Sequence, residues 1–329
     1  MSGARPAGVR RPGTRRPRVR GGRGSVVPDA EPRSYYDLPI VKAPVWTWEV
    51  PAYFFVGGAA GASSVLAVVA EATGNASLAR TARLVAAGGV AASPPLLISD
   101  LGRPERFHHM LRVLKPTSPM SVGSWILALY APAAIGAAGL DVLGWFPRLR
   151  RVAGVVAAGL GPALSTYTAV LLTNTAVPVW HQAKDTLPAV FAASSTMSSG
   201  AAAVLVRPAD PTARAVAVAG GLAELVTTEV MHRSLDDDVA GPYGEGDSGR
   251  WGRVASAATA VGTALVALAP SGSGGRAARR LGAVGMLAGA AATRWSVFRA
   301  GFASAADPAA TVGPQRRRMA ARTSSSDRG

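Results

Sequence analysis

The chain has 329 residues, 49% hydrophobic and 16% charged, with a mean hydropathy of +0.22. Several runs of nearly 20 apolar residues give this the composition of a helical membrane protein, and the lack of any Cys excludes disulfides, thiolate zinc, iron–sulfur clusters and thiol catalysis within the chain. The net charge of +16 sits mostly in the tails, with nine Arg against two acids over residues 1–33 and five Arg against two acids over 307–329, so it does not describe a nucleic-acid-binding face.

In chain order, residues 1–33 read as a flexible Arg/Pro/Gly-rich tail, without the apolar core of a cleavable signal peptide. Residues 34–48, SYYDLPIVKAPVWTW, have the Tyr, Trp and Pro content of a segment at headgroup depth. Eight spans are expected, near 50–71, 79–99, 121–144, 152–174, 187–206, 212–232, 252–270 and 279–300. Gly and Ala are abundant in them, as in GGAAGASS over 57–64, which lets helices approach closely in lipid. The expected architecture is all-α: an integral membrane domain over 34–302, then a second flexible basic tail over 303–329.

Eight spans put both tails on one side of the membrane. That side also receives loops 100–120, 175–186 and 233–251, which are long and chemically varied, whereas the loops on the other side are short. The short turns carry Arg80, Arg83, Arg148, Arg150, Arg151, Arg207, Arg214, Arg276, Arg279 and Arg280, which favours placing them in the cytoplasm and the varied face outside; the Arg-rich tails argue the reverse.

Between the second and third spans lies LISDLGRPERFHHMLRVLKPTSPMSVGSW, residues 97–125. It carries Asp100, then Arg103, Arg106, Arg112 and Lys115, then Pro116 and Pro119, with Ser118 or Ser121 placed to cap the next helix. Asp100 can pair with Arg103 or Arg106, or face a site. Glu49 suits a helix N-terminus and can equally exchange protons. Tyr167 lies seven residues inside Asn174, roughly 10 Å deep, and its hydroxyl needs a partner. His181 follows the fourth span at the interface. Glu224 lies roughly 12 Å deep in the sixth span, with Glu229 and His232 beyond it. A carboxyl at that depth must be neutral, paired or hydrated, either on a proton path or against Arg233 or Arg294. None of the four His (His108, His109, His181, His232) sits mid-span, so no haem site is expected.

Three stretches resemble the NrfD-like, polysulfide-reductase membrane-subunit family: YYDLPIVKAPVWTWEVPAYFFVGGAAGASS (35–64), LLISDLGRPERFHHMLRVLKPTSPMSVGSW (96–125) and YTAVLLTNTAVPVWH (167–181). The resemblance covers roughly the first half of the chain. It implies eight helices in two four-helix bundles in the bacterial cytoplasmic membrane, and a subunit with no haem or cluster of its own that is not catalytic alone. Such a subunit reacts with a quinone or quinol, of menaquinone or ubiquinone type, and anchors an iron–sulfur, ferredoxin-like subunit. That partner connects to a molybdopterin or multihaem catalytic subunit in anaerobic electron transport. The family's quinone site maps onto the start of the first span and the end of the fourth. Tyr53 stands nearest a polar family position, and Tyr167 falls within a residue of a quinone-contacting Tyr; Val50 stands where some members carry a polar residue.

The expected site therefore has Tyr53, Tyr167 and His181 at the quinone, Glu49, Asp100, Glu224 and Glu229 for proton transfer, and Arg103, Arg106 and Lys115 for partner docking. The competing class is an ion or solute transporter, which often shows internal repeats and broken helices in matching positions; neither is visible here. A third is a structural anchor without quinone chemistry.

Overall fold

The computed structural model describes residues 40–315, and among these no strand forms. The long helices are α1 (Glu49–Ala72), α2 (Ala76–Ser99), α3 (Pro119–Leu143) and α4 (Pro147–Thr173), then α6 (Leu187–Val206), α7 (Pro211–Ser234), α9 (Gly246–Leu268) and α10 (Ser273–Ala306). Short helices fall in the loops: a 3-10 turn over Pro104–Leu111, α5 (Pro178–Gln182) and α8 (Asp237–Gly244). Seven of the eight long helices are long and apolar enough to cross a membrane. The other, α7, has the length but carries Arg214, Glu224, Glu229 and Arg233.

Local chemistry sets the ends. Asn75 starts α2 by accepting a bond from the Leu78 N–H, and Asp210 starts α7 through Ala213. Of the two serines expected at α3, Ser118 is the cap, and Ser121 instead bonds the Val113 carbonyl and the Lys115 N–H, pinning the loop. Pro119, Pro147 and Pro211 occupy first turns, where no helix donor is lost. Arginines hold the opposite ends: Arg279 donates to the carbonyls of Ala269 and Pro208, and Arg280 to that of Leu205.

Residues 303–315, expected to belong to a flexible C-terminal tail, are largely helical. Helix α10 continues to Ala306 through an Ala-rich stretch, Asp307 caps the Ala309 N–H, and residues 308–315 are helical too. At 34 residues, roughly 51 Å, α10 exceeds the roughly 30 Å hydrocarbon core. The N-terminal tail call over 1–33, and the C-terminal one beyond 315, lie outside the described residues.

Helix α1 packs on α2 and α4, and α3 on α2 and α4; α6 packs on α7 and α10, and α9 on α7 and α10. Helices α1 and α6 join the two sets. The core has two layers. One is aromatic, with Tyr53, Phe54, Tyr130, Trp180, Phe191 and Phe298 buried. The other is made of small residues with Leu66, Leu78, Met197, Val204 and Met286. Close approach replaces bulk where glycines meet: a Cβ on Gly161 of α4 would run into the Gly61 carbonyl of α1.

Candidate functional site

A cavity of about 460 Å³ sits among α1–α4, roofed by the 3-10 turn. Its size is that of a small-molecule site, and its walls are mainly apolar: Trp46, Val50 and Phe54, then Leu97, Leu127 and Leu171. Phe107, Met110 and Leu111 of the 3-10 turn also line it. Polar atoms enter from Tyr53, Tyr167, Asp100 and Ser124.

Tyr53 on α1 and Tyr167 on α4 meet through their hydroxyls, one donating to the other. Tyr53 is buried and Tyr167 half-buried toward the cavity. One proton is used between the two oxygens, so the pair keeps a second O–H and spare lone pairs. It can therefore donate to a carbonyl oxygen or accept from a hydroxyl. Gly123 of α3 makes room for the Tyr167 ring, which a Cβ at that position would overlap. Gly123→Ala is expected to displace that ring at about 1–3 kcal/mol of stability, as read by thermal unfolding of the purified variant.

At the mouth, the Asp100 carboxylate accepts bonds from the Thr47 N–H at 3.0 Å and the Thr47 hydroxyl at 2.7 Å. That hydroxyl also reaches Glu49. A hydroxyl has one proton, so it serves one carboxylate at a time. Asp100 is thus tied to the segment before α1, and among the described residues it forms no ion pair with Arg103 or Arg106. Both arginines and Lys115 are exposed beside Arg112. Desolvation, and then the charges of Arg112 and His108, hold His109 below the usual imidazole value.

His181 does not line the cavity. It is exposed, with Nδ1 3.3 Å from the Thr173 carbonyl. On the short α5 its neighbour Trp180 turns inward, donates to the Val297 carbonyl at 2.7 Å and stacks on Trp46, with ring centroids 5.8 Å apart. Adjacent residues of a helix point in different directions, so burying Trp180 exposes His181.

Glu224 lies in the other half of the molecule. It is 2% exposed and accepts from the Thr293 and Thr259 hydroxyls at 2.7 and 3.3 Å. Arg294 is also buried, its guanidinium 4.1 Å over the Phe191 ring, with Nη2 donating to the Phe191 carbonyl and Ser195. A cavity of about 20 Å³, one water's worth, lies between Glu224, His232 and Tyr243. Among the described residues the Tyr243 hydroxyl has no partner, and burial pushes its phenol up, keeping it protonated. Glu229 does not join Glu224: it faces outward and pairs with Arg233 at 2.7 Å across one helical turn.

Composition did not single out Trp46, Tyr130 or the ion cluster at the opposite surface. Tyr130 donates to the Ala60 carbonyl at 2.6 Å and meets Ser64 at 2.7 Å. In the cluster, buried Arg83 bridges Glu71 and Asp141, and Arg150 bonds both acids again. The available clue was that all four residues lie near the short turns of one side, Arg83 two turns into α2.

The family model described as polysulphide reductase, NrfD, matches residues 39–217, more than half of the chain. No curated protein matches it.

Proposed function

Because this chain belongs to the polysulphide reductase NrfD family, we propose that it is the quinone-reactive membrane subunit of an oxidoreductase complex in the bacterial cytoplasmic membrane. In this reading all eight long helices cross the membrane, as two four-helix bundles, and the polar residues of α7 face inward or sit at its ends. The observation that carries the reading is the Tyr53–Tyr167 hydroxyl pair at the wall of an apolar cavity.

The chain's residues fit such a ligand. An aromatic ring finds Trp46, Phe54 and Phe107 among the lining side chains, and a ring oxygen finds the tyrosine pair, which serves both the oxidised and the reduced form. When bound, a quinol supplies two electrons and two protons. Tyr53 and Tyr167 fix the ring oxygen and exclude water from it. Asp100 and Glu49, joined through Thr47 at the mouth, receive protons and pass them to the aqueous surface. Glu224, with Thr259, Thr293 and the water-sized cavity beside Tyr243, is a second place where this chain can hold a proton.

An iron–sulfur, ferredoxin-like subunit takes the electrons and hands them to a molybdopterin or multihaem catalytic subunit. Arg103, Arg106 and Lys115 give it a basic landing face beside the cavity roof, of the kind that guides encounter and register. Reversing these three charges to Glu is expected to weaken assembly at least about tenfold, more at low salt than at high salt, as read by co-purification of the subunits. The deciding experiment isolates the membrane complex, identifies its subunits and measures quinol-linked turnover. A chain that purifies alone and does not bind a quinone-site inhibitor defeats the proposal.

A further inference from the structure

We infer that the cavity opens sideways into the bilayer between α2 and α3, and that this seam carries the hydrocarbon tail of the ligand whose ring lies at Tyr53 and Tyr167; the inference rests on the quinone reading above. The helices around the cavity are joined pairwise, and three of the four joints are closed by a glycine. On α1–α2, a Cβ on Gly89 would come within 2.7 Å of the Val56 carbonyl; on α1–α4, Gly61 meets Gly161; on α3–α4, Gly123 meets Tyr167. On α2–α3 no glycine is in contact: Gly88, Gly136 and Gly139 would meet nothing within 4 Å.

That joint is clamped at the far end, where Arg83 on α2 holds Asp141 on α3 at 2.8 Å. At the cavity end, Pro94, Leu97 and Ile98 of α2 and Ser124, Ala128 and Ala131 of α3 all line the cavity, and all six are half-buried. Pro94 and Pro95 lie inside α2 and remove the two N–H donors that would otherwise bond the Val90 and Ala91 carbonyls, weakening the helix at the cavity end of this joint.

The shape of the opening selects the ligand. Met120, Gly123, Ser124, Leu127, Ala128 and Ala131 recur every three or four residues and form one stripe on α3, roughly 16 Å long. Its only hydroxyl, that of Ser124 near the start of the stripe, donates to the Met120 carbonyl at 2.9 Å and keeps only acceptor capacity. Beyond Ser124 the stripe offers a ligand dispersion contacts alone, and the small side chains of Ala128 and Ala131 leave width for an alkyl or isoprenoid chain. A tailless polar ligand gains nothing from it.

The chain has no Cys, so single substitutions give unique thiols. Full-length Ser124→Cys, Ala131→Cys and Leu129→Cys variants are reconstituted in phosphatidylcholine vesicles and labelled with a membrane-permeant maleimide. Leu129, 56% exposed on the outer face of α3, is the control. The ligands are a fully ring-substituted dimethylnaphthoquinone and the same ring bearing a polyprenyl chain, each about tenfold above its Kd. The expected result is that both quinones slow Ser124→Cys labelling about tenfold. Only the long-tailed one slows Ala131→Cys, and neither affects Leu129→Cys. If both quinones protect Ser124→Cys while Ala131→Cys is labelled at an unchanged rate, the tail leaves by another route; the seam is wrong and the quinone reading stands. If neither protects Ser124→Cys, the quinone reading falls and takes the seam with it.

Discussion

Tyr167→Phe in the assembled complex is expected to lower quinol-linked turnover about 100-fold, within the range for loss of a positioned proton-transfer group, while the helices stay packed. The hydroxyl it removes is one member of the Tyr53–Tyr167 pair, and the ring remains against Gly123. Tyr53 then keeps its own O–H, but nothing orients it and the pair's second donor is gone. A readout that separates chemistry from folding is inhibitor binding, expected to weaken about tenfold, the cost of one hydrogen bond to a buried partner. Unchanged turnover together with unchanged inhibitor affinity would place the ring oxygen elsewhere.

The largest expected stability change comes from the opposite surface. Arg83→Met is expected to cost about 3 kcal/mol or more, because it removes a buried cation that bridges two acids, Glu71 and Asp141, whose side chains are only 26% and 14% exposed. Arg150 still reaches both acids and softens the loss. Arg151→Met offers the contrast. Its side chain is 69% exposed and among the described residues pairs only with Glu71, at 3.3 Å, so its removal is expected to cost under about 1 kcal/mol. Denaturation of the purified protein in detergent, followed by loss of helical signal, ranks the two. Equal costs would mean that the cluster is solvated and contributes little.

The sequence made the helices legible because their signal is local. Apolar runs bring the expected spans within about three residues of the observed α1, α2, α3, α6 and α7, with larger extensions at α4, α9 and α10. The misses have physical reasons. Helix α10 outruns its expected end because Ala-rich sequence stays helical after hydropathy falls. The 3-10 turn over Pro104–Leu111 and helices α5 and α8 are too short for periodicity to register. At the candidate site, position along a helix was legible: Tyr167 lies seven residues before the Asn174 cap of α4 and lines the same cavity as Tyr53, which the family resemblance points to. Azimuth was not. Whether His181 or Trp180 turns inward, and whether Glu229 or Glu224 does, depends on packing partners far away in the chain, such as Val297 and Thr293. The arginines at the short turns read in sequence as a topology signal alone. Several of them also have structural work, as ligands of helix-end carbonyls or as partners of Glu71 and Asp141.

The stack of Trp46 on Trp180 reaches further than one aromatic contact. Trp46 forms part of the cavity wall, yet its backing is an indole anchored to Val297 and seated in the space left by Gly301. Both of those residues lie beyond the stretch matched by the family, which ends at 217. A shortened protein cut to the first four helices would keep the tyrosines and lose the brace behind this wall. A truncated chain that keeps this brace therefore has to include α10.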